Sequence, residues 1–82
     1  MTKILSVDDS ATMRRIVGRV VATLGMEMVE ASNGLEALAI LETQYAEISL
    51  IVLDVNMPEM DGHETLLAIK KDERFQSIPV MM

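Results

Sequence analysis

Apolar residues fall along this chain in two alternating rhythms, short continuous runs and longer stretches spaced at one helical turn. Residues 3 to 8 carry a run too short for a helix, with a β-branched share, which predicts a buried strand. Beyond it Met13, Ile16, Val17, Val20, Val21 and Leu24 recur at i, i+3, i+4, i+7, i+8 and i+11, the spacing of one helix face. Ser10 or Thr12 can cap that helix and Gly25 can end it. Glu27 to Ala31 predicts a second, weaker strand. Asn33-Gly34 could turn a hairpin, but Leu38, Leu41 and Tyr45 follow at helical spacing, so Asn33 reads as an N-cap with Glu36 completing a capping-box-like start. Residues 49 to 54 are the most apolar strand segment. A third helix is expected from near Gly62, turning Leu66, Leu67 and Ile69 inward and placing Lys70, Lys71 and Arg74 toward its end, where cations suit the helix dipole. Ile78 to Met82 then predicts a fourth strand, with Pro79 tolerated at its start.

The order β-α-β-α-β-α-β over residues 1–82 calls for one α/β domain with a parallel sheet and right-handed crossovers. Eighty-two residues suffice for one domain of modest core. Half of them are hydrophobic and mean hydropathy is +0.29, which excludes disorder. Tyr45 and Phe75 are the only aromatics, so the core is expected to be aliphatic, with the eight methionines as filler. A formal charge of -6 and the lack of a basic run argue against a nucleic-acid surface. The absence of cysteine removes disulfides, thiolate metal sites and thiol nucleophiles. No signal-like or spanning segment is present at the start, and the expectation is a cytoplasmic protein without membrane insertion.

The chemistry gathers where strands end. Ile4-Leu5-Ser6-Val7 runs into Asp8-Asp9, and Leu50-Ile51-Val52-Leu53 runs into Asp54. Neighbouring parallel strands deliver such residues to one sheet edge, where open α/β folds place their sites. Three carboxylates there repel at about 4 kcal/mol per close pair for an effective dielectric near 20, so the cluster asks for a cation. Oxygen-only donors suit a hard ion, and Mg²⁺ takes one or two carboxylates plus waters and phosphate oxygens. Asp9 and Asp54 are candidates for direct ligands, Asp8 for a ligand through water, and the Asn56 carbonyl for a further oxygen. Asp54, alone at its strand end, is the candidate nucleophile for an aspartyl-phosphate.

Asp8-Asp9, the lone strand-end Asp54 and Met57-Pro58-Glu59-Met60-Asp61-Gly62 together resemble the receiver domain of two-component response regulators. The stretch from Asp8 through Val17 is especially similar to chemotaxis-type receivers. The resemblance implies an incomplete flavodoxin-like α/β fold, strand order 2-1-3-4 with helices on both faces. It also implies phosphorylation of Asp54 by a histidine kinase; a Mg²⁺ site of Asp8, Asp9, Asp54 and the Asn56 carbonyl; and a kinase-facing first helix carrying Met13 and Arg14. Such a protein is a phosphoryl acceptor with at most weak self-phosphorylation and dephosphorylation, not an enzyme in the ordinary sense.

A complete receiver has five βα units, whereas these residues supply three and one strand, without the Ser or Thr after strand four and the Lys ending strand five. The expected consequences are impaired phosphotransfer, a half-bare sheet face beside the first helix, and an unpaired fourth strand through which the chain forms homo-oligomers, by edge pairing or element exchange. The alternative reading is a self-associating structural module without a competent switch. A haloacid-dehalogenase-type phosphatase also starts from a strand-end Asp, but wants an acid where Asn56 stands. Among the remaining residues, His63 is expected to be exposed and inert, Glu59 and Asp61 to be loop acids, and Met57, Pro58 and Met60 to shape the turn. Gly62 is expected to permit an unusual backbone angle, and Arg14 and Arg15 either meet an acidic partner or line a solvated helix face.

Overall fold

The computed structural model describes residues 2–57 and 60–82. Pro58 and Glu59, read from the sequence as turn residue and loop acid, lie outside them. The elements are β1 (Lys3–Val7), α1 (Ala11–Thr23), β2 (Glu27–Ala31), α2 (Gly34–Gln44), a 3-10 turn (Tyr45–Glu47), β3 (Ile48–Leu53), α3 (Gly62–Lys71) and β4 (Val80–Met81). The strands form one parallel sheet, as the alternation of strands and helices predicted, in the order β2-β1-β3-β4 that the receiver resemblance implied.

Local chemistry sets the helix starts. Ser10, not Thr12, caps α1, its Oγ accepting from the Met13 amide at 3.2 Å. Asn33 caps α2 by accepting from the Glu36 amide at 2.8 Å, while Glu36 reaches back to accept from the Ser32 amide at 2.9 Å. Gly25 follows α1 at φ 74°, a left-handed conformation that glycine adopts without a Cβ penalty.

Alternation along the strands divides the interior. Leu5, Val7, Ile51 and Leu53 point to the face covered by α2 and α3, where they join Ala37, Leu41, Ile69, Phe75 and Ile78 in one buried cluster. Ile4, Leu50 and Val52 point to the other face, toward α1. That helix packs mainly on β1 and β2. Of its expected inward face, Val21 alone is buried; Val20 and Leu24 are 58% and 64% exposed, and Met13 and Ile16 are also open. Together with Val17, Val21, Ile4, Leu50, Val52 and Met81, three of these line an apolar groove of about 310 Å³ beside β1, β3 and β4. The half-bare face anticipated from the sequence is therefore present.

Several expectations need correction. Leu67 is 59% exposed, and the inward position of α3 belongs instead to Thr65, whose hydroxyl donates to the Asp61 carbonyl at 2.8 Å. Tyr45 leaves the α2 helix to open the 3-10 turn, and its ring leans on Phe75 with centroids 5.8 Å apart. The methionines are not core filler: of those described only Met57 is buried, and Met13, Met81 and Met82 are exposed. The fourth strand begins at Val80; Pro79 contributes only its carbonyl, which accepts from the Ile51 amide at 3.0 Å.

The segment leading to β4 is held by cations. Arg74 makes two 2.8 Å bonds to the Glu42 carboxylate and others to Asp72, and its guanidinium lies 4.7 Å from the Phe75 ring centroid. Lys70 donates to the Gln76 and Ile78 carbonyls at 3.0 and 3.2 Å.

Candidate functional site

Register brings the acids together. Val7 pairs with Leu53 across β1 and β3, so Asp8 and Asp54 leave the sheet side by side. The Asp54 amide donates to the Val7 carbonyl at 2.9 Å, and the Asp8 amide to the Ala31 carbonyl at 3.0 Å. Both acids thus have backbones fixed by the sheet and side chains beyond it. Asp8 Oδ1 accepts from the Ser10 amide at 2.8 Å, which turns the chain into α1 and leaves Asp9 exposed on the turn.

One carboxylate oxygen from each of Asp8, Asp9 and Asp54 lies within 4.8 Å of the others. This is the set expected from the two acid-tipped strands. The donors are all oxygen, with no imidazole or thiolate among them, and suit a hard divalent cation. Asn56 is exposed two residues past Asp54.

Three neighbours were not legible as parts of this site. Arg14 donates to the Asp8 main-chain carbonyl and, from Nε, to Glu30 Oε1 at 2.9 Å, with only 16% of its side chain exposed. It braces the turn from within the fold instead of standing free in solvent, whereas Arg15 is exposed. Asp61 is the N-cap of α3, accepting from the Glu64 amide at 2.9 Å; its signal was the same three-residue offset to a glutamate that marked Asn33. Gly62 donates to the Val55 carbonyl at 3.0 Å and sits against the backbone of Asp54. Its φ is not positive, so space and not an unusual angle explains the glycine. His63 is exposed, as expected.

Residues 4–82 match the response regulator receiver domain. The chain belongs to this family. It is 42% identical over 81 residues to chemotaxis protein CheY1 of Helicobacter pylori, covering 98% of this chain and 64% of that protein. Among solved structures, the N-terminal domain of a response regulator receiver protein from Methanoculleus marisnigri superposes with TM-score 0.89 at 35% identity, over 98% of this receiver and 63% of that chain. Chemotaxis response regulator CheY4 of Vibrio cholerae gives TM-score 0.88 at 36% identity, over 98% and 65%. The chain therefore spans slightly less than two thirds of these relatives. Its strand order and flavodoxin-like architecture are those of the family, and the phosphatase reading falls away. No helix among the described residues is long and apolar enough to cross a membrane.

Proposed function

We propose that this receiver is a phosphorylation switch of chemotaxis type, accepting a phosphoryl group on Asp54 from a histidine kinase in the cytoplasm. The observation that carries the reading is the convergence of Asp54 with Asp8 and Asp9 at the carboxyl edge of a parallel sheet. In the transfer, an Asp54 carboxylate oxygen attacks phosphorus. The new O–P bond forms as the bond from phosphorus to the donor imidazole nitrogen breaks, and that nitrogen leaves with the electron pair and takes a proton from water.

Asp8, Asp9, Asp54 and the Asn56 carbonyl are the residues that would hold Mg²⁺, which when bound supplies charge neutralisation for the phosphoryl oxygens. The protein's own part is placement: the β1 and β3 ladder fixes Asp54 beside the two other acids before any donor arrives. Self-phosphorylation from a small donor and slow dephosphorylation follow from the same arrangement, without making the protein an enzyme in the ordinary sense. The family match and the acid cluster support the switch over a purely structural module. Self-association is a separate part of the proposal, supported by the apolar groove beside α1 and the outer edge of β4; a monomer by light scattering at micromolar concentration would remove it.

Mass spectrometry after incubation with acetyl phosphate and Mg²⁺ tests the switch. A phosphoryl adduct in the wild type that disappears in Asp54→Ala is expected; no adduct, or one that survives the substitution, overturns the assignment.

A further inference from the structure

We infer that Gly62 is a positioning residue for the phosphoryl acceptor, its missing side chain allowing the first turn of α3 to seat directly on the backbone of Asp54. The inference rests on the proposed role of Asp54. A Cβ at position 62 would overlap the Asp54 carbonyl oxygen and stand 2.8 Å from Val55 Cα and 3.1 Å from the Asp54 carbonyl carbon. All of these are main-chain atoms, so no side chain can rotate away to make room. Either α3 or the Asp54–Val55 backbone must move.

Both are held. On the helix side, Asp61 caps the first turn at 2.9 Å, its carbonyl accepts from the Thr65 amide at 3.0 Å and the Thr65 hydroxyl at 2.8 Å, and Thr65 and Ile69 are fully buried. On the strand side, the Asp54 amide is bonded to the Val7 carbonyl at 2.9 Å. The acceptor is thus clamped on its amide side by β1 and on its carbonyl side by α3. Asp8 is tied separately, to Ala31 and Ser10. A methyl group at 62 therefore displaces Asp54 relative to Asp8 and Asp9 without touching any carboxylate.

Displacements of this order in a preorganised site can cost about 10²-fold in rate. For Gly62→Ala the expected result is a Mg²⁺ dissociation constant raised several-fold by calorimetry and a phosphorylation rate from acetyl phosphate lowered at least about tenfold. Leu41→Ala, a buried variant in the C-terminal half of α2, is measured beside it as a destabilised control. Both are kept folded, as checked by circular dichroism, with trimethylamine N-oxide. Wild-type affinity and rate in Gly62→Ala, or equal losses in Leu41→Ala, overturn the inference. Should Gly62→Ala not fold, Thr65→Val releases the hydroxyl bond to Asp61 at nearly constant shape, and unchanged Mg²⁺ affinity there overturns it as well. A wild type that binds Mg²⁺ but takes no phosphoryl group defeats the function proposed above, while the Mg²⁺ comparison still decides the role of Gly62.

Discussion

Arg14 Nε lies 2.9 Å from Glu30 Oε1, tying the first turn of α1 to the end of β2, while the same guanidinium holds the carbonyl of Asp8. The brace spans sixteen residues of sequence and reaches the acid-bearing turn from behind. Because Glu30 is half exposed, the ion pair itself is worth little. A double-mutant cycle with Arg14→Met and Glu30→Gln should return a coupling of about 0.5–1 kcal/mol in urea unfolding. Arg14→Met alone should cost more than Glu30→Gln, because it also strips the Asp8 carbonyl of its donor; equal single-site costs would contradict this.

Arg74 gives the fold an acid-sensitive clasp. Its hydrogen bonds hold the carboxyls of Asp72 and Glu42 below their ordinary values, so the folded protein binds these protons less readily than the unfolded chain. The stabilisation is complete above the ordinary carboxylate range, near about pH 4, and is lost as pH falls through the lower folded values. The stability gap between wild type and Arg74→Met should therefore be widest at neutral pH and close toward pH 2, measured as urea midpoints across that range.

Two caps predict two similar losses with different side effects. Asn33→Ala and Asp61→Ala each remove one side-chain acceptor from a helix start and should cost about 1 kcal/mol. Asp61→Ala should also weaken Mg²⁺ binding, since α3 bears on Asp54, whereas Asn33→Ala should leave it unchanged in the same calorimetric titration.

Much of this was readable from the chain. The β1 and β3 runs, the Asn33–Glu36 start of α2 and the acids at the strand ends follow from period and offset alone, and the sheet order follows from the family resemblance. What escaped depends on distance through space. Leu67 fits the apolar rhythm of α3, yet Thr65 takes the buried position because its hydroxyl finds a partner in the Asp61 carbonyl. The Arg14 brace needs Glu30, and the Arg74 clasp needs Glu42, which no local pattern links to them. Gly62 was visible as a glycine, but the reason for it is the neighbouring backbone of Asp54.

The acid cluster should make the metal-free protein less stable than its core allows. Unit charges about 4 Å apart in water repel by about 1 kcal/mol. Asp9→Asn, on the exposed member of the cluster, should raise the thermal midpoint in chelator-treated buffer and reduce the rise produced by adding Mg²⁺. A fall in the metal-free midpoint would show that repulsion is not what the cluster contributes.

The amides of Asp8 and Asp54 are the terminal rungs of the sheet, bonded to Ala31 and Val7. Their solvent exchange therefore requires an interstrand hydrogen bond to open and not only the fluctuation of a loop. The relative placement of the two aspartates is thereby tied to the sheet, and it is lost once β1 no longer stays between β2 and β3.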